Sequence, residues 1–100
     1  MSAPKLELAL ARQAERDIRD ILQYTLETWG EEQMESYAAD LEAGIERLRE
    51  NPGLGRRRED LYAGCRYYRV KELSIFYSTN EQRLSVARVL HVRMDARRHF

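Results

Sequence analysis

The chain has 100 residues, 43% of them hydrophobic and 34% charged, and its formal net charge is zero. This length suits one domain with one core, and the composition excludes the low-hydrophobicity, high-charge pattern of disordered chains. No apolar run approaches the ~20 residues of a membrane span, and the N-terminus is unlike a signal peptide. We therefore expect one domain over residues 1–100, located in the cytoplasm and without membrane association.

The zero net charge conceals a division between the two halves of the chain. Residues 1–50 carry six Lys/Arg and twelve Asp/Glu, a net charge of −6, whereas residues 51–100 carry eleven and five, a net charge of +6. Two interpretations are open. The halves attract each other within the fold, or one face is shaped for an anionic partner.

The first half predicts one strand and two helices. Residues 5–11 (KLELALA) alternate apolar and polar side chains, as a strand does. From residue 12 to 29, apolar side chains recur at three- and four-residue steps, which is typical of a helix that ends at Gly30. A second such stripe runs over residues 34–48 and stops at Pro52. With only Gly30 as a clear break, the helices should form an antiparallel hairpin.

The second half predicts a basic loop and three strands. Residues 51–58 (NPGLGRRR) indicate an exposed basic loop. Residues 62–71, 73–79 and 83–91 are rich in β-branched and aromatic side chains, which favours strands, and residues 92–100 form a polar tail with one helical turn. The order β-α-α-β-β-β predicts an α+β fold, with the helical hairpin packed on a mainly antiparallel sheet.

Residue patterns give no firm catalytic centre. Cys65, His91 and His99 lack the close spacing of metal ligands, so we expect no metal and no cofactor. His91 with Arg88 or Arg93 has the residue types of a ribonuclease, but a strand-end histidine that caps backbone groups is the preferred interpretation. Aromatic and basic residues alternate along the strands, yet half of these aromatics must face the core. Direct nucleic-acid binding is therefore not expected.

Four segments in order carry a resemblance: residues 14–33 (AERDIRDILQYTLETWGEEQ), 51–56 (NPGLGR), 68–78 (YRVKELSIFYS) and 86–100 (VARVLHVRMDARRHF). Together they resemble ParE-type toxins of the RelE/ParE superfamily over nearly the whole chain. The resemblance implies a bacterial type II toxin that inhibits DNA gyrase, through its A subunit, by binding and not as an enzyme. It also implies a hetero-oligomer with a neutralising ParD-like antitoxin.

The same resemblance defines the alternative function, because RelE-type relatives cut messenger RNA in the ribosome. Where that branch carries a strand arginine this chain has Ser74, and where the YoeB-like pattern has a tyrosine this chain has Val92. Loss of one charge-stabilising group costs about 10²-fold in rate. A RelE-like ribosome-dependent endonuclease using His91 and Arg88 therefore ranks second. A degenerate toxin that only binds its antitoxin remains a third interpretation.

The expected binding residues form two groups. The target-binding group is the basic, aromatic-ended C-terminal cluster of Arg93, Arg97, Arg98, His99 and Phe100. The antitoxin-binding group combines hairpin positions with the basic loop: Leu26, Met34, Tyr37, Arg56, Arg57 and Arg58. Helix docking and strand addition at a sheet edge are the modes by which an antitoxin would use them.

Overall fold

The computed structural model describes residues 5–100 as a helical hairpin packed on a sheet. The elements are β1 (Glu7–Leu10), α1 (Arg12–Trp29), α2 (Glu31–Glu50), β2 (Arg56–Arg57), β3 (Arg66–Val70), β4 (Leu73–Thr79) and β5 (Arg83–His91). Short 3-10 turns lie after α2, at Pro52–Leu54, and after β5, at Ala96–His99. The predicted α+β fold and its element order are confirmed, with the two-residue β2 added. Neither helix of this part of the chain is long and apolar enough to cross a membrane.

The strands form one sheet in the order β1-β5-β4-β3-β2. β1 pairs with β5 in parallel, and every other neighbouring pair is antiparallel. A parallel pair needs a long crossover, which here is the whole hairpin together with β2, β3 and β4. β1 and β2 are consequently the two edges of the sheet.

Gly30 makes the sharp connection between the helices. Its φ of 94° lies in the region that favours glycine, and its N–H donates to the Leu26 carbonyl at 3.0 Å. The Gly30 carbonyl then accepts from the Met34 N–H at 3.1 Å in the first turn of α2. One residue therefore both ends α1 and starts α2, which folds the two helices against each other.

The main core lies between the hairpin and one face of the sheet, which we call the hairpin face. Leu48, Ile75, Tyr77 and Leu84 are all fully buried there. Gly44 allows α2 to approach the sheet, because a Cβ at this position would lie 2.5 Å from Val70 Cγ2.

Three details of the predicted secondary structure are wrong. Residues 51–58 are not a loop throughout, because a 3-10 turn and β2 occupy part of them. β3 begins at Arg66 and not at residue 62, since residues 62–65 form a turn closed by the Cys65 N–H on the Tyr62 carbonyl at 3.1 Å. Trp29, placed on the apolar face of α1 by its spacing, is 70% exposed at the last residue of the helix.

Among the described residues, three ion pairs join the acidic half of the chain to the basic half. They are Asp17–Arg88 at 2.8 Å, Asp40–Lys71 at 2.6 Å and Glu7–Arg83 at 3.9 Å. Attraction within the fold thus accounts for part of the charge division. Within residues 5–100, Arg56, Arg69 and Arg93 form no ion pair, so cationic side chains remain for a partner.

Candidate functional site

The sheet face opposite the hairpin, which we call the open face, has a small core of its own. Cys65, Phe76, Leu90 and Ala96 are buried in it, and Tyr67 packs against them. Ala96 comes from residues 92–100, which we call the C-terminal segment. A few residues beyond the last strand therefore take the place that a helical layer takes on the hairpin face.

The C-terminal segment leaves a groove of about 710 Å³ on the open face. Ser74, Phe76 and Leu90 lie on its strands. Its other lining residues come from the β2–β3 side, from the end of β5 and from the C-terminal segment: Leu54, Arg56, Arg58, Tyr67, Tyr68, Arg69, His91, Val92, Met94, Asp95 and Ala96. Ser74, where the endonuclease branch would carry an arginine, is 8% exposed. This open-face groove therefore has cationic side chains at its side and a neutral hydroxyl among its strands.

The arginines of the groove differ in how firmly they are held. Arg58 donates from Nε and Nη2 to the two carboxylate oxygens of Asp60, at 2.9 and 3.2 Å. This hydrogen bonding lowers the pKa of Asp60. Arg56 and Arg69 are both exposed, and Arg69 donates from Nε to the Lys71 carbonyl at 2.8 Å. The groove consequently favours an anionic ligand or protein surface.

Local contacts fold the C-terminal segment back onto the sheet. Asp95 accepts the Arg97 N–H at 3.1 Å and so caps the 3-10 turn. The Phe100 ring lies 5.4 Å from Phe76, edge to face, and 5.6 Å from Tyr62. The expectation of a polar tail is therefore incomplete, because the last aromatic residue belongs to the open-face cover.

The five residues expected to bind a target lie on this segment with unequal exposure. Arg97 and Arg98 have 76% and 84% of their side chains exposed, with carboxylates of Asp60 and Asp95 at 3.5 and 3.8 Å. Arg93 is exposed as well, while His99 is half-buried. Phe100 is 44% exposed and packs on the open face. Three arginines are thus available to a partner, and the other two residues help to hold the segment.

The residues of the alternative nuclease are engaged elsewhere. Arg88 donates from Nε and Nη2 to both Asp17 oxygens at 2.8 Å, with only 16% of its side chain exposed. His91 accepts the Arg93 N–H on Nδ1 at 3.1 Å, so its Nε2 carries the proton that faces Glu72 Oε2 at 3.1 Å. Their odd separation in a regular stretch of β5 places Arg88 and His91 on opposite faces. His91 therefore caps backbone at a strand end, as its preferred interpretation predicts.

Of the hairpin residues expected to bind an antitoxin, Tyr37 lies near exposed aromatic side chains. Leu26 is 37% exposed, and Met34 and Tyr37 are half-buried. Tyr37 lines a hollow of about 440 Å³ together with Tyr24 and Trp29, which are 65% and 70% exposed. The sequence argument missed these two aromatics, although the position of Trp29 next to Gly30, in the last turn of the helix, was a signal that it could extend past the core.

The three loop arginines expected to bind an antitoxin lie at a different place. Arg56 and Arg57 form β2, pair with β3 alone and are exposed at the sheet edge, with Arg58 directly after them. The structure thus separates the arginine group from the hairpin group. Within residues 5–100, no three His, Cys, Asp or Glu side chains cluster so as to hold a metal.

Fold and site together define a small α+β domain with a cationic open face. The family model described as the ParE toxin of the type II toxin-antitoxin system, parDE, matches residues 8–96. Toxin ParE1 of Caulobacter vibrioides is 41% identical over 91 residues, which are 91% of this chain and 94% of that protein. Toxin ParE of Escherichia coli is 38% identical over 88 residues, 86% of this chain and 84% of that one. The chain belongs to the ParE toxin family of type II toxin-antitoxin systems.

Two solved structures show the same fold at low sequence identity. The chromosomal ParDE toxin-antitoxin system from P. aeruginosa aligns with a TM-score of 0.73 at 17% identity, over 87% of this chain and 96% of that one. The toxin-antitoxin complex RelBE2 from Mycobacterium tuberculosis aligns with a TM-score of 0.62 at 22% identity, over 89% and 99%. These two structures show a shared fold, and the predicted membership in the RelE/ParE superfamily is confirmed by the family model and the ParE relatives.

Proposed function

We propose that this toxin, a single domain acting in the cytoplasm, inhibits DNA gyrase by binding its A subunit and so blocks replication without chemistry of its own. The observation that carries the proposal is the contrast among the arginines. Arg88, which a nuclease would need at its centre, is bound to Asp17, whereas Arg97 and Arg98 extend from the C-terminal segment with most of their side chains exposed.

Exposed guanidinium groups suit this role. Arginine forms planar, paired hydrogen bonds with carboxylates and phosphates, and it is weakly hydrated compared with lysine. Arg93, Arg97 and Arg98 lie on one short segment, so they can meet one acidic surface on the target. His99 and Phe100 complete the proposed target-binding group by holding that segment against the sheet.

A purified supercoiling assay with gyrase tests the proposal. We expect inhibition at micromolar toxin together with accumulation of cleaved DNA. Replacing Arg93, Arg97 and Arg98 by alanine should raise the concentration for half-inhibition at least about tenfold, because clustered charges steer and hold a charged partner. The matched control replaces Arg12, Arg16 and Arg19, three exposed arginines of α1, and should change it less than about twofold.

Two outcomes would contradict the proposal. The first is no inhibition and no cleaved DNA with the unmodified toxin. The second is cleavage of ribosome-bound messenger RNA that is lost on His91→Ala, with gyrase unaffected, since this would establish the endonuclease alternative. Primer extension on translated messages is the measurement that reports it.

We further propose that a ParD-like antitoxin neutralises the toxin in a hetero-oligomer. An antitoxin helix would dock on Leu26, Met34 and Tyr37, and acidic antitoxin side chains would pair with Arg56, Arg57 and Arg58. The exposed edge of β2 and the aromatic surroundings of Tyr37 support these two contacts. The same-fold structures, both described as toxin-antitoxin systems, support the class of partner.

A binding titration separates the two antitoxin contacts. Replacing Arg56 and Arg57 by alanine should weaken binding of a ParD-like antitoxin and flatten its salt dependence, because exposed charge pairs are screened by salt. Met34→Asp should weaken binding at every salt concentration, since it places a charge in an apolar contact. Unchanged affinity in both variants would overturn the proposed surface.

A further inference from the structure

Asp17 and Arg88 join the first helix to the last residues of the chain. Beyond its two bonds to the Asp17 carboxylate, the Arg88 guanidinium donates from Nη1 to the His99 carbonyl at 2.9 Å. Asp17 Oδ2 also accepts the Val89 N–H at 3.0 Å, past the end of the β1 pairing at Val86. One carboxylate and one guanidinium thus connect α1, the edge of β5 and the C-terminal segment.

This pair differs from the other ion pairs around it. Only 16% of the Arg88 side chain and 12% of the Asp17 side chain are exposed, whereas Arg97 and Arg98 pair at longer distances with most of their side chains in solvent. A desolvated, two-bonded arginine–carboxylate pair has a fixed geometry, and an exposed pair contributes little. The orientation of the guanidinium, and with it the donor that meets His99, is therefore set by Asp17.

We infer that Asp17 and Arg88 are positioning residues, which hold the backbone at His99 and so fix the directions of Arg97 and Arg98 on the same turn. The inference rests on the proposed function, because it gives these two arginines a preformed arrangement for binding gyrase. Phe100 supplies an apolar anchor for the segment, and the bond to His99 adds a directional one. A surface ordered before binding loses less conformational entropy when the partner docks.

The test must remove the bond to His99 without unfolding the protein. Asp17→Ala alone would leave the buried Arg88 charge unpaired, which is strongly destabilising. The double variant Asp17→Asn/Arg88→Met removes both charges, keeps an acceptor for the Val89 N–H and removes the donor to His99. Arg88→Lys keeps the charge, but one ammonium group cannot reproduce the planar, three-bond arrangement, and it should give an intermediate result.

A second arginine bridge in the same molecule provides the matched control. Arg49 donates from Nη1 to Glu46 at 2.8 Å and from Nε to the Leu6 carbonyl at 2.7 Å. It joins a carboxylate to a backbone carbonyl as Arg88 does, but it holds the start of the chain and not its end. The control variant is Glu46→Gln/Arg49→Met.

Backbone amide relaxation and gyrase inhibition are measured on the full chain. In the Asp17/Arg88 variant we expect amide order parameters of residues 97–100 to fall below about 0.6, as in flexible backbone. The half-inhibition concentration should rise about tenfold, as expected when preorganisation is lost. The Glu46/Arg49 variant should leave both unchanged, and thermal unfolding should show that both variants fold.

Each remaining outcome decides the matter. If residues 97–100 of the Asp17/Arg88 variant are as rigid as in the unmodified toxin, the positioning role is overturned. It is also overturned if these residues become mobile while inhibition of gyrase is undiminished. Equal loss of inhibition in both double variants would assign the effect to stability in general. If the unmodified toxin fails to inhibit gyrase, the proposed function is lost and the link to gyrase with it, while the relaxation data still decide whether Asp17 and Arg88 order the segment.

Discussion

The two faces of the sheet are covered in unequal ways. On the hairpin face, two helices of 18 and 20 residues bury a continuous apolar core that includes Leu48, Ile75 and Tyr77. On the open face, the buried core has four residues, a 3-10 turn of four residues is the main cover, and a groove remains beside it. The hairpin face thus carries most of the stability, and the open face carries a groove with arginine side chains.

The comparison shows how a small domain can separate stability from binding. Burial of apolar area is the main stabilising contribution to folding, and the hairpin supplies it without the open face being covered completely. The C-terminal segment is therefore held by a few specific contacts, chiefly Phe100 on Phe76 and the Arg88 bond to His99. Substitutions on the two faces should consequently differ in how much they lower the free energy of unfolding and in whether they affect binding.

The largest predicted difference comes from two residues of similar volume on opposite faces. Ile75→Ala should lower the free energy of unfolding by about 4 kcal/mol, since it leaves a cavity in the rigid hairpin-face core. Leu90→Ala should cost about 2 kcal/mol, because Leu90 borders the groove, where neighbours and water can fill the space. Denaturant unfolding at equal m-values measures both, and an equal loss would show that the open face is as closely packed as the hairpin face.

Two tyrosine hydroxyls sharpen the comparison at a smaller scale. The Tyr77 hydroxyl donates to the Pro52 carbonyl at 2.6 Å and accepts the Gly55 N–H at 2.9 Å, which fixes the approach to β2. Tyr77→Phe leaves both backbone groups without this partner and should cost about 2 kcal/mol. Tyr24→Phe, at an exposed position, should stay within about 0.5 kcal/mol. Similar losses in the two variants in denaturant unfolding would exclude a specific role for the Tyr77 hydroxyl.

The sequence predicted the fold well because its signals are local. The spacing of apolar residues predicted the bounds of α1. The break between the helices was predicted at Gly30, because glycine readily adopts the positive φ that the structure shows there. β2 was not predictable in this way, because the residue before it, Gly55, is held by donating its N–H to the hydroxyl of Tyr77, which lies 22 residues further along the chain. Two-residue strands have no periodicity of their own.

The site was less accessible to sequence reasoning than the fold. The C-terminal arginines could be chosen from their residue type. The ion pair between Arg88 and Asp17, however, joins residues 71 positions apart and has no local sequence pattern. The groove likewise combines β2, β3 and the C-terminal segment, whose proximity follows only from the strand order. Residue types therefore indicated the charge of the site, and the topology supplied its geometry.

A smaller effect than that of Tyr77→Phe, and of opposite sign, is predicted for the hydroxyl that the open face leaves unsatisfied. The Tyr62 hydroxyl is buried without a hydrogen-bond partner among the described residues, and burial raises the pKa of Tyr62 from 10.0 to about 12. Tyr62→Phe should therefore keep the stability at pH 7 unchanged or raise it by up to about 1 kcal/mol, in contrast to Tyr77→Phe.

The pH dependence of this variant has a defined sign. The unfolded chain releases the Tyr62 proton near pH 10, before the folded protein does, so the stability linked to the protonated phenol is complete below pH 10 and declines as the pH rises toward 12. Between these pH values the Tyr62→Phe variant should lose less stability than the unmodified protein. In an absorbance titration of the folded proteins, the Tyr62 phase near pH 12 should be present in the unmodified protein and absent from the variant. Parallel stability curves for the two proteins would show that Tyr62 is solvated, and that the open-face cover formed with Phe100 is looser than the 5.6 Å ring separation indicates.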